Sequence, residues 1–428
     1  MTWRTAPLRS VAEVSLGRQR SPVHASGKWM VPYLRAANVK DGFLDLSDVQ
    51  SMNFTPAEQR TFSLRPGDVL VTEGSGSISA VGASAVWERQ LEGPVCFQNT
   101  LLRLRPRDGI DGRFLAWWAR SAFSSRIFAS ISSGANIFHL SADRVKALPI
   151  SFPGLDEQRR IVKFLDAEMS IIDRLASLRD SQQRLIRERG LSRVYDAVRG
   201  KAEGGPRAPS RLPWLGDVPA SWHVAPVSSQ FELRLGKMLN RERTTGSHLR
   251  PYLRNLNVQW DRIDTGDLLL MDFPPGERVR YEVLPGDLLI CEGGSEPGRA
   301  AIWNDQREMY YQKALHRARP RGHSLSRWLY YCLKAATSLG VFAIGGNTTT
   351  IAHLTGEQLG SQRFPFPDSS TQARLVSELE EAAAHDSLLV SRLHRQADLL
   401  DERRRALIAA AVAGELDASS TGRSGLLP

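Results

Sequence analysis

The octapeptide Pro32-Tyr-Leu-Arg-Ala-Ala-Asn-Val39 returns 219 residues later as Pro251-Tyr-Leu-Arg-Asn-Leu-Asn-Val258, and this echo decides how the chain is built. The same shift carries the PGDVLVTEG that starts at Pro66 onto the PGDLLICEG that starts at Pro285, and the WRTAP at Trp3 onto the WHVAP at Trp222. Further along, FQNTLLRLRP from Phe97 matches YQKALHRARP from Tyr311 at a shift of 214, so the second copy has lost five residues in between. The new shift then holds for His139-Leu140 and His353-Leu354, for Gln158 and Gln372, and for the glycines Gly200 and Gly414. Ordered blocks separated by a single deletion mark the duplication of a whole unit.

Each copy has two parts. The first ~150 residues are rich in Gly and Pro, and short apolar runs such as Asp68–Val71 and Asp287–Ile290 follow Pro-Gly turns. Helical apolar patterns run over Phe114–Phe128 and Trp328–Phe342, so a compact α+β globule is expected. The second part, Asp156–Gly200 and Ser370–Gly414, contains no proline. Ile171, Leu175, Leu178 and Leu185 in one stretch, and Leu389, Leu393, Leu400 and Leu407 in the other, have the spacing of a packed helix face. Each stretch reads as one long helix, about 65 Å if continuous. Gln396 and Arg403 on the seam favour a helix pair over a long regular coiled coil.

The expected organisation is a globule over 1–155, a helix over 156–203, a linker over 204–213, a second globule over 214–369, a second helix over 370–416 and a disordered tail over 417–428. The fold class is α+β, with two tandem globules, two long antiparallel helices and a pseudo-twofold internal duplication.

Fifty-six Lys and Arg stand against 46 Asp and Glu, a net charge of +10 that points to a polyanion such as nucleic acid as partner. Three scattered cysteines, Cys96, Cys291 and Cys332, fit neither a zinc site nor a disulfide framework, and suit a cytoplasmic setting. No apolar run is long enough to predict a membrane span, and the N-terminus does not read as a signal peptide. The glycine-rich S-adenosylmethionine turn and Asn-Pro-Pro-aromatic motif of adenine methyltransferases are both missing. GSGS at 74–77 lacks the Gly-Lys-Ser/Thr of a phosphate cradle. His139 and His353 occupy equivalent places without a nucleophile or ligand pattern around them, and Glu73 and Glu292 read as loop or strand-end structure. No catalytic residue and no metal site are expected.

Several of these blocks resemble the specificity subunits of type I restriction-modification systems. They are the two Pro-Tyr-Leu-Arg-x-x-Asn-Val segments, the two Pro-Gly-Asp segments, LPISFPGLDEQRRIVKFLD from Leu148 and RRRALIAAAVAGELD near the end. The second junction, FPFPDSSTQARLVSEL from Phe364, keeps Gln372 but has Thr371 in place of the first junction's Glu157. The resemblance implies two target-recognition domains, each reading one half of a bipartite, asymmetric double-stranded DNA site. It further implies that the helices space the halves and dock two methyltransferase (modification) subunits, and that endonuclease/translocase (restriction) subunits join them. S-adenosylmethionine, ATP and magnesium would belong to those partners, and this chain would hold no cofactor.

Base and phosphate contacts commonly come from Arg, Lys, Asn and small polar residues on loops. The candidate DNA-binding residues are Arg18, Lys28, Arg35, Asn38, Lys40, Ser75, Ser77 and Asn136 in the first copy. In the second they are Lys237, Arg241, Arg243, Arg254, Asn257, Arg299, Asn347 and Thr349. Two other classes compete with this reading. One is a nuclease or methyltransferase with drifted motifs, which methylation by the purified chain alone would reveal. The other is a two-headed protein scaffold, which the basic charge argues against. A reader serving a methylation-only complex would have the same sequence features.

Overall fold

The computed structural model describes residues 3–239, 245–342 and 353–416. Four helices matter below: α1 (Gly112–Ser124), α2 (Leu155–Val198), α3 (Ser326–Ser338) and α4 (Ser369–Ala413). The chain forms two compact units. Unit 1 takes the chain up to Arg179 and again from His394, and unit 2 takes Asp180–Leu393.

In unit 1 a four-stranded antiparallel sheet has the order Ala12–Leu16, Leu101–Pro106, Val69–Thr72, Ser84–Val86. A three-stranded sheet joins Gln50–Asn53, Met30–Leu34 and Cys96–Phe97, the last pair parallel. Arg4–Pro7 pairs with Pro149–Phe152 just before α2 begins. Unit 2 repeats all three arrangements. Its four-stranded sheet runs Phe231–Leu235, Leu315–Pro320, Leu288–Cys291, Ala300–Ile302. Its three-stranded sheet joins Leu269–Asp272, Leu249–Leu253 and Tyr310–Tyr311, and His223–Pro226 pairs with Arg363–Phe366. Val69–Thr72 and Leu288–Cys291 are buried at every position, which explains the unbroken apolar runs Val69–Val71 and Leu288–Cys291.

The repeated motifs are structural fasteners. Asp68 of the first Pro-Gly-Asp accepts from Arg65 N at 2.7 Å and from Arg105 Nε and Nη2 at 2.8 and 2.7 Å. Asp287 does the same with Leu284 N and Arg319. Each Asp is 1% exposed, so its carboxylate is held by a bidentate guanidinium and a turn amide. Gly17 and Gly236 follow the first sheet strand where a Cβ would lie 2.3 Å from Gln98 O or Gln312 O, so neither position has room for a side chain. Gln158, fully buried, accepts from Asp111 N and donates to Gly109 O and Pro153 O, fixing the start of α2 to its globule. Gln372 ties the start of α4 to Leu325 N and Pro367 O.

Both long helices end on a left-handed glycine, Gly200 (φ 60°) and Gly414 (φ 78°). Each lies against a tryptophan of the WxxAP segment, Gly200 against Trp222 and Gly414 against Trp3. In unit 1 the early part of α2 meets the late part of α4, with Arg403 on Glu168 at 3.1 Å and Arg404 on Asp173 at 2.5 Å. In unit 2 the late part of α2 meets the early part of α4, where Arg189 and Arg193 bind Asp386 at 2.6 and 2.8 Å. The helices are therefore antiparallel.

On α4 the expected Leu400 and Leu407 are half-buried against the unit 1 core, but on α2 the face expected to be packed differs from the one that is. Ile171, Leu178 and Leu185 are exposed (54%, 50% and 63%). The buried positions are instead Ile161, Val162, Leu165, Met169 and Ile172 in unit 1 and Val194 and Val198 in unit 2. Their partners are Ile408, Ala411 and Val412 of α4 in unit 1, and Leu375, Val376 and Leu379 in unit 2. The helix ends share a core with the globules and follow the 3.6-residue period of that surface, and a strict seven-residue stripe drifts off it. Residues 204–213, expected as a linker, contain Arg207–Pro209, which pairs with Asp217–Pro219. The Arg207 guanidinium fastens them to Arg199 O, Gly200 O and Asp217 O.

Candidate nucleic-acid interface

In unit 1 the loops that carry Ser75, Ser77 and Asn136 are brought together at one end of the four-stranded sheet. In unit 1, Gly74–Ser75 pairs with Phe138–His139, and Leu140 N donates to Glu73 O at 2.8 Å. The loop Gly74–Ala80 therefore lies beside Ser133–His139. His139 Nδ1 sits 3.2 Å from the Glu73 carboxylate, an exposed pairing that orients the loop edge. In unit 2, Leu354 N donates to Glu292 O at 2.6 Å, the equivalent of the bond from Leu140 to Glu73. There the buried His316 ring reaches up from the sheet, its Nε2 donating to Leu354 O at 2.8 Å.

The candidate side chains fall into two groups. Arg18 and Lys237 are buried cations with matching surroundings. Arg18 donates to Asn53 O, pairs with Glu58 at 2.7 Å and lies over Phe54. Lys237 donates to Asp272 O, pairs with Glu277 at 2.5 Å and lies over Phe273. Asn38 and Asn257 are 2% and 1% exposed. Their amide nitrogens donate to Asp45 O and Asp48 O, and to Asp264 O and Asp267 O. Their side-chain oxygens accept from Arg35 N and Arg254 N. The guanidiniums of Arg35 and Arg254 hold Asp48 and Asp267, and Arg299 donates to Val258 O and Asn255 Oδ1. This group shapes the recurring PYLRxxNV segment.

The second group faces solvent. Lys28 lies over the Trp29 ring at 5.5 Å, and Lys40 and Asn136 are exposed. Ser77 shares a hydrogen bond with Ser79 at 2.7 Å, and Ser75 Oγ accepts from Ser77 N. Arg241, Arg243, Asn347 and Thr349 lie outside the described residues, as does the tail from 417.

Sequence reading passes over Ile78 and Ile137, 46% and 55% exposed on the two adjoining loops of unit 1. Their signal is an isoleucine set among serines, glycines and asparagine, where no core can form. It also passes over the arginines of the RLRP and RARP runs, Arg103 and Arg317. These are buried, donate to Thr61 O and Glu282 O, and pair with Glu13 and Glu232.

Burial pushes the Cys96 and Cys291 thiols up to about 11, which removes them as nucleophiles near neutral pH. Among the described residues no group of three or more His, Cys, Asp or Glu is placed to hold a metal ion, and no helix is long and apolar enough to cross a membrane.

Duplicated α+β globules, each with a small-residue loop platform and joined to an antiparallel helix pair, define a tandem recognition protein. Residues 1–177 match the family described as the type I restriction modification DNA specificity domain. The chain is 23% identical to the type I restriction enzyme EcoKI specificity subunit of Escherichia coli (strain K12), covering 97% of this chain and 89% of that protein. It is 21% identical to the StySPI specificity subunit of Salmonella potsdam, with the same coverage. The fold is shared with a chain solved in work on complex assembly and conformational transition of the type I R-M system (TM-score 0.73, 19% identity, 97% and 98% covered). It is also shared with the HsdS subunit from Thermoanaerobacter tengcongensis (TM-score 0.57, 19% identity, 97% of each covered). Its first 177 residues thus match the type I restriction modification DNA specificity domain, and over nearly its whole length the chain is similar to specificity subunits of type I restriction-modification systems.

Proposed function

We propose that the globules of units 1 and 2 each read one half of a bipartite, asymmetric DNA site, and so direct adenine methylation and restriction by partner subunits. The observation that carries this is one platform bearing two sets of side chains. The bonds Leu140 N to Glu73 O and Leu354 N to Glu292 O repeat. The loop above them reads Gly-Ser-Gly-Ser-Ile-Ser from Gly74 in one unit and Gly-Gly-Ser-Glu-Pro-Gly from Gly293 in the other. A common frame with unlike loops suits two unlike half-sequences.

In this reading Lys28, Lys40, Ser75, Ser77 and Asn136 meet DNA in the first half, with Arg241, Arg243, Asn347 and Thr349 in the second. Arg18, Arg35, Asn38, Lys237, Arg254, Asn257 and Arg299 act by holding their loops in shape. The helix pair spaces the half-sites and docks two modification subunits, and restriction subunits join that complex. Exposed Ile171 and Leu178 in unit 1 and Leu185 and Leu388 in unit 2 supply apolar surface for such docking. S-adenosylmethionine, ATP and magnesium are assigned to the partners, and the complex to the cytoplasm.

The test is a methylome of cells expressing the chain with its modification subunit, against the modification subunit alone. The expected result is a new adenine-methylation motif with two unlike halves around a fixed gap; a stable complex with no new motif overturns the reading. Neutralising Lys28 and Lys40 should flatten the salt dependence of DNA binding by about 0.9 for each phosphate that is no longer neutralised. Removing four residues from one long helix, ~6 Å of rise, should shift the preferred gap.

A further inference from the structure

Gly42 in unit 1 and Asp261 in unit 2 occupy the same turn. Gly42 N donates to Ser84 O at 2.8 Å and Asp261 N to Ala300 O at 3.2 Å, and both residues are left-handed (φ 87° and 58°). The residue before the turn is Asp41 in one unit and Trp260 in the other, and the helix beside it is α1 or α3. In unit 2 the Trp260 ring meets Tyr330 edge-on at 5.8 Å, and Tyr330 packs on Tyr331 at 5.1 Å. Lys334 Nζ lies 5.5 Å from the Tyr330 ring. Unit 2 thus fills this place with its own indole.

Unit 1 lacks the filling. Ala116 stands at the position of Tyr330, and Asp41 is drawn aside as a carboxylate to accept from Arg120 Nε at 2.9 Å, while Arg120 lies 4.6 Å over Trp117. What remains is a cleft of about 330 Å³ lined by Phe43, Leu44, Ala116, Trp117 and the stem of Arg120. Phe43 stands 61% exposed at its edge.

We propose that this cleft binds an aromatic side chain presented by a partner protein, seated as Trp260 is seated in unit 2. The chemistry selects the occupant. Two guanidiniums, Arg113 and Arg120, face three carboxylates, Asp41, Glu88 and Asp166, at the cleft. Arg113 is already held by Glu88 at 2.9 Å and Asp166 at 3.1 Å. Neither guanidinium is left over for a phosphate, so a nucleotide base with its anionic backbone is rejected and a neutral ring on a polypeptide is accepted. Trp117 and Arg120 supply the aromatic and cation–π surfaces that such a ring uses as an anchor. The proposal does not depend on how either globule meets DNA.

The experiment is saturation-transfer NMR on the full chain with N-acetyl-tryptophanamide as probe, and N-acetyl-leucinamide and thymidine monophosphate as controls. The tryptophan amide should bind with a dissociation constant of about 1 mM, ordinary for a single-ring fragment, and the controls should bind at least ~10-fold more weakly. Copying unit 2 with Asp41→Trp and Ala116→Tyr should weaken the probe by ~10-fold or more. If that double variant fails to fold, Ala116→Leu should do the same by narrowing the cleft. Undiminished binding in a folded variant, no binding by the natural chain up to ~10 mM, or equal binding of thymidine monophosphate would each overturn the proposal.

Discussion

Unit 1 places Leu102 where unit 2 places His316, at the centre of sheets with the same strand order. Leu102 joins an apolar cluster with Val71, Phe128 and Leu140. His316 is as deeply buried, yet it spends Nε2 on the Leu354 carbonyl and leaves Nδ1 without a partner among the described residues. The two units also differ at the Asp41/Trp260 turn and in the loops above the sheets. They agree in the Asp68/Asp287 and Arg105/Arg319 pairs, the Gly17/Gly236 contacts and the Gln158/Gln372 junctions. Divergence gathers where loops are supported or clefts are filled, and the fasteners between sheet, turn and helix are held in common. A duplicated reader can change what it touches without changing how it stands.

The largest effect should come from cutting a shared fastener. Asp68→Ala and Asp287→Ala each leave a guanidinium without its carboxylate, and each should cost its own unit about 3–5 kcal/mol. Urea unfolding followed by hydrogen exchange in each unit would measure both; losses differing by more than about 2 kcal/mol would break the equivalence. A smaller effect is expected at the helix starts. Gln158→Ala strands Asp111 N, Gly109 O and Pro153 O, and Gln372→Ala strands Leu325 N and Pro367 O. At about 1–3 kcal/mol per buried orphan, with partial relief by water, the first should be the costlier. A reversed order would mean that the Gly109 and Pro153 bonds contribute little.

The smallest effect separates the units by pH. Burial lowers the His316 pKa below its ordinary value. The folded state therefore favours the neutral ring, and the stability linked to it is present above the unfolded pKa near 6.5 and is lost as pH falls below it. Unit 2 should weaken between pH 7 and 5 in excess of unit 1, and His316→Leu should remove the excess. An unchanged excess in that variant would place the titration elsewhere.

The duplication, the two long helices and the globule class are all legible in the sequence, because repeats, proline-free stretches and Pro-Gly turns act locally. The seam on α2 is not, although Leu400 and Leu407 on α4 do pack as expected. Ile171, Leu178 and Leu185 obey a seven-residue rule, whereas the surface they lie near selects every third or fourth position. Arg18, Asn38, Lys237 and Asn257 have the composition of DNA contacts and serve as internal braces. A cation or amide looks the same in sequence whether its partner is a phosphate or a backbone carbonyl 35 residues away, as for Arg18 and Asn53. The cleft beside Trp117 is invisible for a related reason, since it depends on what Ala116 and Asp41 fail to fill.

Ile408, Ala411 and Val412 are buried in the same core as Leu8, Phe114 and Ile161. Unit 2 is continuous in sequence, but unit 1 is not. On a ribosome, the first globule must wait for α4 while the 214 residues between Arg179 and His394 are made, roughly 10–40 s at ~5–20 residues per second. Its apolar docking face on α2 stays bare throughout that delay, so translation speed and chaperone supply should govern the yield of unit 1 far more than that of unit 2.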